Sequence, residues 1–194
     1  MVDIYISVDI EADGPIPSDY SMVELGACVV GDPLSTFRRY LKPISDKSLA
    51  KALVASNLDR QWLITNGKDP RTVMAEFRDW ILKVSWPKRP VFVGFNATFD
   101  WMFTHWYFVH FLGSDPFDIS GLDIKAFYMA LMGKTKWSET RKDMILPVFK
   151  GFNPHPHAAL NDALEQAEMF EKLLTFSQSS FLQDARGIIL SGRA

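Results

Sequence analysis

The sequence has little cysteine and no large excess of charge of either sign. Cys28 is the single cysteine, so the chain cannot form an internal disulfide, which fits a reducing compartment. Lysine and arginine total 21 against 23 aspartates and glutamates, which gives a formal net charge of −2. Because there is no basic excess to gather a long polyanion non-specifically, any contact with nucleic acid has to be local.

Long apolar runs are also missing. The most apolar stretch, residues 99–112, is interrupted by Asp100, Thr104, His105 and His110, so it does not resemble a membrane span. The acidic N-terminus MVDIYISVDIEADG has neither a basic region nor a long apolar region, and it therefore predicts no signal peptide. We expect a soluble, cytoplasmic protein with no membrane partner.

Glycine and proline are too few, and apolar residues too many, for a disordered or low-complexity chain. There are 11 glycines and 11 prolines, while apolar residues make up 47% of the chain. A length of 194 residues favours one domain of ordinary size. We predict a single domain over residues 1–194, with a core over about 3–176 and a short C-terminal tail over 177–194.

The hydrophobic pattern changes between strand and helix spacing along the chain. Short alternating or wholly apolar runs predict strands at 3–11, 22–30, 36–41 and 91–95, with a weaker extended piece near 117–120. Helical spacing and end signals predict helices over 70–84, 97–112, 122–132 and 159–176. The segment 134–156 has no clear pattern. This order predicts an α/β domain with a mixed sheet, an antiparallel meander followed by parallel strands, flanked by helices.

Asp9 and Glu11 lie two residues apart on the first predicted strand. Their side chains therefore share one face, with Cα atoms about 6.6 Å apart at a rise of roughly 3.3 Å per residue. A strand whose other face is apolar is usually central, and two carboxylates there are unfavourable unless a cation balances them. Taken alone, the pair is equally consistent with two interpretations, a divalent metal site and a strand end exposed to solvent.

Three further polar residues lie near the starts of predicted helices. Asp100 follows the fourth predicted strand, where the helix dipole favours a carboxylate and where α/β sheets place ligands. His157 precedes the last helix in a segment that Pro154 and Pro156 hold extended, and Asp162 lies in the first turns of that helix. Each residue taken alone is more often a structural or surface group.

Three short motifs follow one another along the chain. In order, they are Asp9-x-Glu11, Asn96-x-x-x-Asp100 and His157-x-x-x-x-Asp162. Together they resemble the motifs of the DEDDh, or DnaQ-like, 3′→5′ exonucleases, a family that includes ribonuclease T, oligoribonuclease and the proofreading subunits of bacterial replicases. The resemblance covers residues 3–176 and implies a ribonuclease H-like fold.

Segments beside the motifs match the family in part. MVELGACVV contains Glu24 and Gly26 of the second-strand pattern, and LDIKAFYMALMG places Asp123 at the family's intermediate aspartate. The first motif continues as DIEADGP where many relatives are rich in threonine, and Phe95 precedes Asn96 where a histidine is common. These departures leave the substrate subclass open, although they do not touch the motif carboxylates or the motif histidine.

The resemblance implies a role for each of five residues. It makes the four motif carboxylates, Asp9, Glu11, Asp100 and Asp162, ligands of two divalent ions. It makes the motif histidine, His157, the general base. Carboxylates suit Mg²⁺ or Mn²⁺, and two such ions can orient the attacking water and stabilise the leaving 3′ oxygen. A histidine with a pKa near 6.5 can accept the proton of that water at neutral pH.

Other histidines and many aromatic residues lie outside the motifs. Residues 97–112 contain seven aromatic side chains, which one helical stripe cannot bury. They indicate a core helix packed on several sides, a homodimer interface, or a ring that stacks a terminal base. We interpret His105 and His110 in this segment as structural, and His155, which does not fit the family spacing, as a loop residue.

The sequence therefore predicts a metal-dependent 3′→5′ exonuclease that releases nucleoside 5′-monophosphates from single-stranded or short RNA or DNA with a free 3′ end. The alternatives are a non-catalytic module on the same fold that binds nucleic acid or a partner protein, and a DNA proofreading subunit of a polymerase. The presence of all five chemical residues favours the enzyme. No long tether follows residue 176, so we expect a free-standing nuclease. The sequence does not locate a contact to the 2′-hydroxyl, which leaves RNA and DNA open.

Overall fold

A mixed five-stranded sheet forms the centre of the protein. The computed structural model describes residues 2–153 and 157–190, with side chains described as far as residue 179 except at Ala55. The strands are β1 (Asp3–Ala12), β2 (Met22–Val29), β3 (Asp32–Tyr40), β4 (Arg89–Gly94) and β5 (Gly121–Asp123). Their order is β3-β2-β1-β4-β5, with antiparallel pairing from β3 to β1 and parallel pairing from β1 to β5. The predicted mixed sheet is confirmed.

In the described part of the chain, six α-helices flank the sheet. They are α1 (Ala50–Ser56), α2 (Arg60–Asn66), α3 (Pro70–Ser85), α4 (Thr98–Leu112), α5 (Ile124–Leu131) and α6 (Ala159–Leu190). Three short 3-10 helices, at Trp137–Thr140, Lys142–Met144 and Pro147–Phe149, occupy much of the segment between α5 and α6 that showed no pattern. No helix within the described residues is both long and apolar enough to span a bilayer.

The two faces of the sheet carry separate hydrophobic cores. Ile6, Val8 and Ile10 of β1 point into a core that α3 and α4 cover. Val93 of β4 lies in the other core, together with Phe170 of α6 and residues of α5. Because side chains alternate along a strand, the polar positions of β1 face the side of the sheet on which α6 lies.

Several predicted boundaries were wrong. The third strand begins at Asp32 rather than at residue 36, since the chain reverses tightly at Gly31, where φ is 82°. The fifth strand is Gly121–Asp123 rather than 117–120, because the apolar Phe117 belongs to a turn and packs on the Phe92 ring at 5.5 Å. The last helix continues past residue 176 to Leu190, in a stretch with no glycine or proline before Gly187.

The aromatic helix α4 directs several of its rings inward. Phe103, Tyr107 and Phe108 are fully buried, and the Tyr107 hydroxyl accepts a hydrogen bond from the backbone N–H of Met22 at 2.7 Å. The two histidines also have partners within the fold: His105 Nδ1 lies 2.8 Å from a carboxylate oxygen of Asp115, and His110 stacks on the ring of Trp106. These contacts support a structural role for both histidines.

Candidate active site

Asp9 and Glu11 project from the end of β1 toward α6. Their neighbours Ile6, Val8 and Ile10 fill the opposite core, so the alternation of β1 leaves the two carboxylates on the α6 side. Both carboxylates are half-buried. The sequence had placed them on one shared face, and the structure does the same.

The first turn of α6 rests directly on β2 beside these carboxylates. Gly26 of β2 is the register partner of Asp9, and a Cβ at this position would lie 2.2 Å from the backbone nitrogen of Leu160. Only glycine therefore allows the helix to begin so close to the sheet. This approach brings Asp162 to the β1 carboxylates: one ligand oxygen from each of Asp9, Glu11 and Asp162 lies within 4.8 Å of the others.

Asp100 lies beside this group of three carboxylates. It is in the first turn of α4 and is 5% exposed. One of its carboxylate oxygens accepts a hydrogen bond from the backbone N–H of Ile10 at 3.0 Å, which ties α4 to β1 between Asp9 and Glu11. The charge of Asp100 raises the pKa of both neighbours. The four predicted carboxylates thus occupy one region of the fold.

Burial and mutual repulsion raise the pKa values of these acids. Burial, followed by the charges of Asp100, Asp162 and Glu11, holds the pKa of Asp9 well above its ordinary value. Burial, followed by the charge of Glu24, raises the pKa of Glu11 to about 8. Burial raises the pKa of Asp100 to about 7. Clustered carboxylates of this kind are favourable when a cation balances them, and an all-oxygen donor set fits Mg²⁺ or Mn²⁺.

Gln166 contacts the site, although the sequence analysis did not single it out. Its side-chain Nε2 donates to Asp9 Oδ1 at 2.6 Å, and its Oε1 accepts from the backbone N–H of Phe95 at 3.0 Å. Gln166 therefore joins β1, the end of β4 and α6. Its place four residues after Asp162, on the same side of the helix, is the signal that could have identified it.

Lys142 and Asn153 contact Asp162 from the segment before α6. Lys142 Nζ lies 3.3 Å from Asp162 Oδ1 and 2.8 Å from Glu165 Oε2. Asn153 Nδ2 donates to the same two carboxylates at 2.9 and 3.1 Å. Sequence periodicity could not find these residues, because they lie on a short 3-10 helix and on a loop.

His157 lies in the loop two residues before α6. Its backbone N–H donates to Asp162 Oδ2 at 2.7 Å, and its φ of 64° places it in the left-handed region. Its side chain is exposed. The loop position agrees with the sequence prediction, while His155, Pro154 and Pro156 lie outside the described residues.

Two acids of the flanking segments have structural partners. Asp123 accepts hydrogen bonds from the backbone N–H of Ala126 at 2.9 Å and of Ala97 at 2.7 Å, so it caps α5 and holds the chain that enters α4. Glu24 is buried and pairs with Arg38 at 2.6 Å. Asp123 thereby positions the segment that carries Asp100, and Glu24 adds negative charge next to Glu11.

Comparison with known proteins gives both sequence and structural relatives. The chain matches no model of a protein family. It is 41% identical over 181 residues to the 3′-5′ DNA exonuclease Cap18 of Escherichia coli, an alignment that covers 93% of this chain and 96% of the relative. The fold is similar to the nuclease domain of 3′hExo, a DEDDh family member bound to rAMP, with a TM-score of 0.71, 15% identity, and coverage of 90% of this chain and 92% of that domain.

A larger nuclease has the same fold over part of its length. E. coli Exonuclease I in complex with a dT13 oligonucleotide superimposes with a TM-score of 0.68 and 17% identity. The superposition covers 93% of this chain but only 43% of Exonuclease I. At this identity, the similarity demonstrates a shared fold.

Proposed function

We propose, since the chain belongs to the DEDDh family of 3′→5′ exonucleases, that it removes nucleotides from the 3′ end of single-stranded DNA. The observation that carries this proposal is the convergence of Asp9, Glu11 and Asp162, with Asp100 beside them, at the meeting point of β1, α4 and α6. DNA is the proposed substrate because the relative at 41% identity is a DNA exonuclease.

Two divalent ions, Mg²⁺ or Mn²⁺, are the proposed cofactors. They would be held by the four clustered carboxylates, Asp9, Glu11, Asp100 and Asp162. Ions bound there would orient the attacking water and stabilise the leaving 3′ oxygen. The hydrogen bonds from Gln166 to Asp9 and from the Ile10 N–H to Asp100 each occupy one oxygen, so Asp9 and Asp100 each keep a second oxygen for coordination.

His157 is the proposed general base. The hydrogen bond from its backbone N–H to Asp162 anchors the loop to one of the proposed metal ligands. Its exposed ring can pass a proton to solvent after accepting it from the attacking water. An imidazole is suited to this step, since its ring nitrogens can both accept and donate a proton.

Digestion of labelled oligonucleotides tests the proposal. Single-stranded DNA and RNA of identical sequence, labelled at the 5′ end, are incubated with the protein and Mg²⁺ or Mn²⁺. We expect a ladder of labelled DNA shortened from the 3′ end, together with nucleoside 5′-monophosphates, and no ladder with Asp162→Asn. Digestion of RNA alone would contradict the proposed substrate. An intact oligonucleotide in every reaction of the unsubstituted protein would contradict the proposed activity.

A further inference from the structure

A small group of aromatic and basic residues lies next to the carboxylates and is used by none of the proposed steps. It consists of Phe95 directly after β4, Lys125 in α5 and Trp137 in the first 3-10 helix, and we call it the Lys125 cluster. It adjoins the proposed site through Asn96, whose side-chain oxygen accepts a hydrogen bond from Lys125 Nζ at 3.2 Å. Asn96 belongs to the same motif as Asp100.

The Lys125 ammonium is nearly buried, and its described neighbours include no carboxylate. The residue is 9% exposed, and within the described part of the chain its ammonium makes no ion pair with a carboxylate. Its neighbours are the Asn96 amide oxygen, the Trp137 ring at 4.3 Å and the Phe95 ring at 5.9 Å. Aromatic faces and one amide offset only part of the cost of removing an ammonium from water, so an anion would be bound favourably here.

The cluster opens toward solvent beside the carboxylates. Asn96 is exposed, and Trp137 is 49% exposed. Lys142 links the two groups, since its ammonium lies 5.8 Å from the Phe95 ring and 3.3 Å from Asp162 Oδ1. A ligand that reaches the carboxylates can therefore also touch Lys125 and Trp137.

We propose that the Lys125 cluster holds one nucleotide of the substrate strand next to the scissile bond: Lys125 binds its phosphate, and Trp137 stacks on its base. A phosphate supplies the negative charge that the ammonium lacks, and lysine is a common point-charge ligand for phosphate. Stacking on an aromatic ring accepts any base, as an exonuclease without sequence preference requires. With a net charge of −2, such local contacts carry more weight than a general basic surface. This inference rests on the proposed function.

Binding of a single-stranded DNA oligonucleotide tests the cluster separately from cleavage. Fluorescence anisotropy in Mg²⁺ is measured at several salt concentrations with an Asp9→Asn background, which prevents digestion. We expect Lys125→Gln to weaken binding about 10-fold or more and to reduce the salt slope by about 0.7, the share of one phosphate contact on a single strand. Lys125→Arg should restore both. Lys136→Gln removes the same charge from an exposed lysine beside Trp137 and should change neither.

Trp137→Ala gives an independent measurement, because this residue is half-exposed and its loss is compatible with folding. We expect it to weaken binding roughly 5- to 150-fold while leaving the salt slope unchanged, and Trp137→Phe to recover most of the affinity. Unchanged affinity for both Lys125→Gln and Trp137→Ala would overturn the inference. Should Lys125→Gln fail to fold, the result for Trp137→Ala alone decides.

If the affinities are unchanged but the unsubstituted protein digests DNA, the proposed function stands without the cluster. If it digests nothing, the proposed function fails, whatever the binding experiment shows.

Discussion

The substitution Gly26→Ala, which adds one methyl group, tests whether the contact between β2 and α6 sets the geometry of the site. A Cβ there would lie 2.2 Å from the backbone nitrogen of Leu160 and 2.3 Å from the carbonyl carbon of Ala159, whereas ordinary contact begins at 3.4 Å. Because both atoms belong to the backbone, no side-chain rotation relieves the clash. The start of α6 has to move by about 1 Å, and Asp162 moves with it, away from Asp9.

We expect Gly26→Ala to reduce kcat about 10²-fold, since a displacement of about 1 Å of a positioned group costs this much. The affinity for Mg²⁺ should fall as well, because Asp162 separates from Asp9 and Glu11, the other proposed ligands. The protein should still fold, with a loss of about 1–3 kcal/mol from overpacking. The measurements are single-turnover cleavage at saturating Mg²⁺, a Mg²⁺ titration, and a thermal melt.

Gly113→Ala is the matched control. Gly113 ends α4 with a φ of 77°, and a Cβ there meets nothing within 4 Å. This substitution should cost about 1 kcal/mol of stability through backbone strain and leave kcat of the folded protein unchanged. A normal rate and a normal Mg²⁺ requirement for Gly26→Ala would refute the reasoning that this contact places Asp162.

Three further predictions concern the acids and the histidine. Asp9→Ala or Asp162→Ala should abolish hydrolysis and weaken Mg²⁺ binding in calorimetry, while chelator should stop activity without unfolding the protein; turnover above a few per cent would contradict the metal assignment. His157→Ala should slow cleavage about 10²–10⁴-fold with unchanged Mg²⁺ affinity, and a normal rate would move the base elsewhere. The raised pKa values of Asp9, Glu11 and Asp100 mean that the metal-free folded state holds protons that the unfolded state releases. The Tm without metal should therefore fall as the pH rises from the ordinary carboxyl range to about 8, and Mg²⁺ should restore it there; a flat profile would contradict the clustering.

The parts of the fold that sequence predicted best are long and regular. The alternation of β1 and the helical spacing of α3 and α6 extend over many residues, so their periods identify them. The family prediction is confirmed by the 41% identical relative. The three motifs also contain all four of the carboxylates that cluster in the structure. The roles of these carboxylates and of His157 stay predictions.

Short elements and contacts between distant segments could not be predicted from the sequence. Helices α1 and α2 have seven residues each, too few for a stripe to stand out, and 3-10 helices do not follow the 3.6-residue period. Gln166 meets Asp9 across 157 residues, and Lys125 meets Trp137 only because a 3-10 helix folds back on α5. Such pairs depend on how whole elements pack, and no local pattern encodes them.

The hydrogen bond between Gln166 and Asp9 joins residues that a ribosome produces far apart in time. At a synthesis rate of about 5–20 residues per second, the sequence separation of 157 residues corresponds to roughly 8–30 s. During that interval β1 can pair with β2, and β2 with β3, but α6 does not yet exist, so the carboxylate cluster lacks Asp162. The growing polypeptide therefore has an incomplete carboxylate cluster until the start of α6 has been translated.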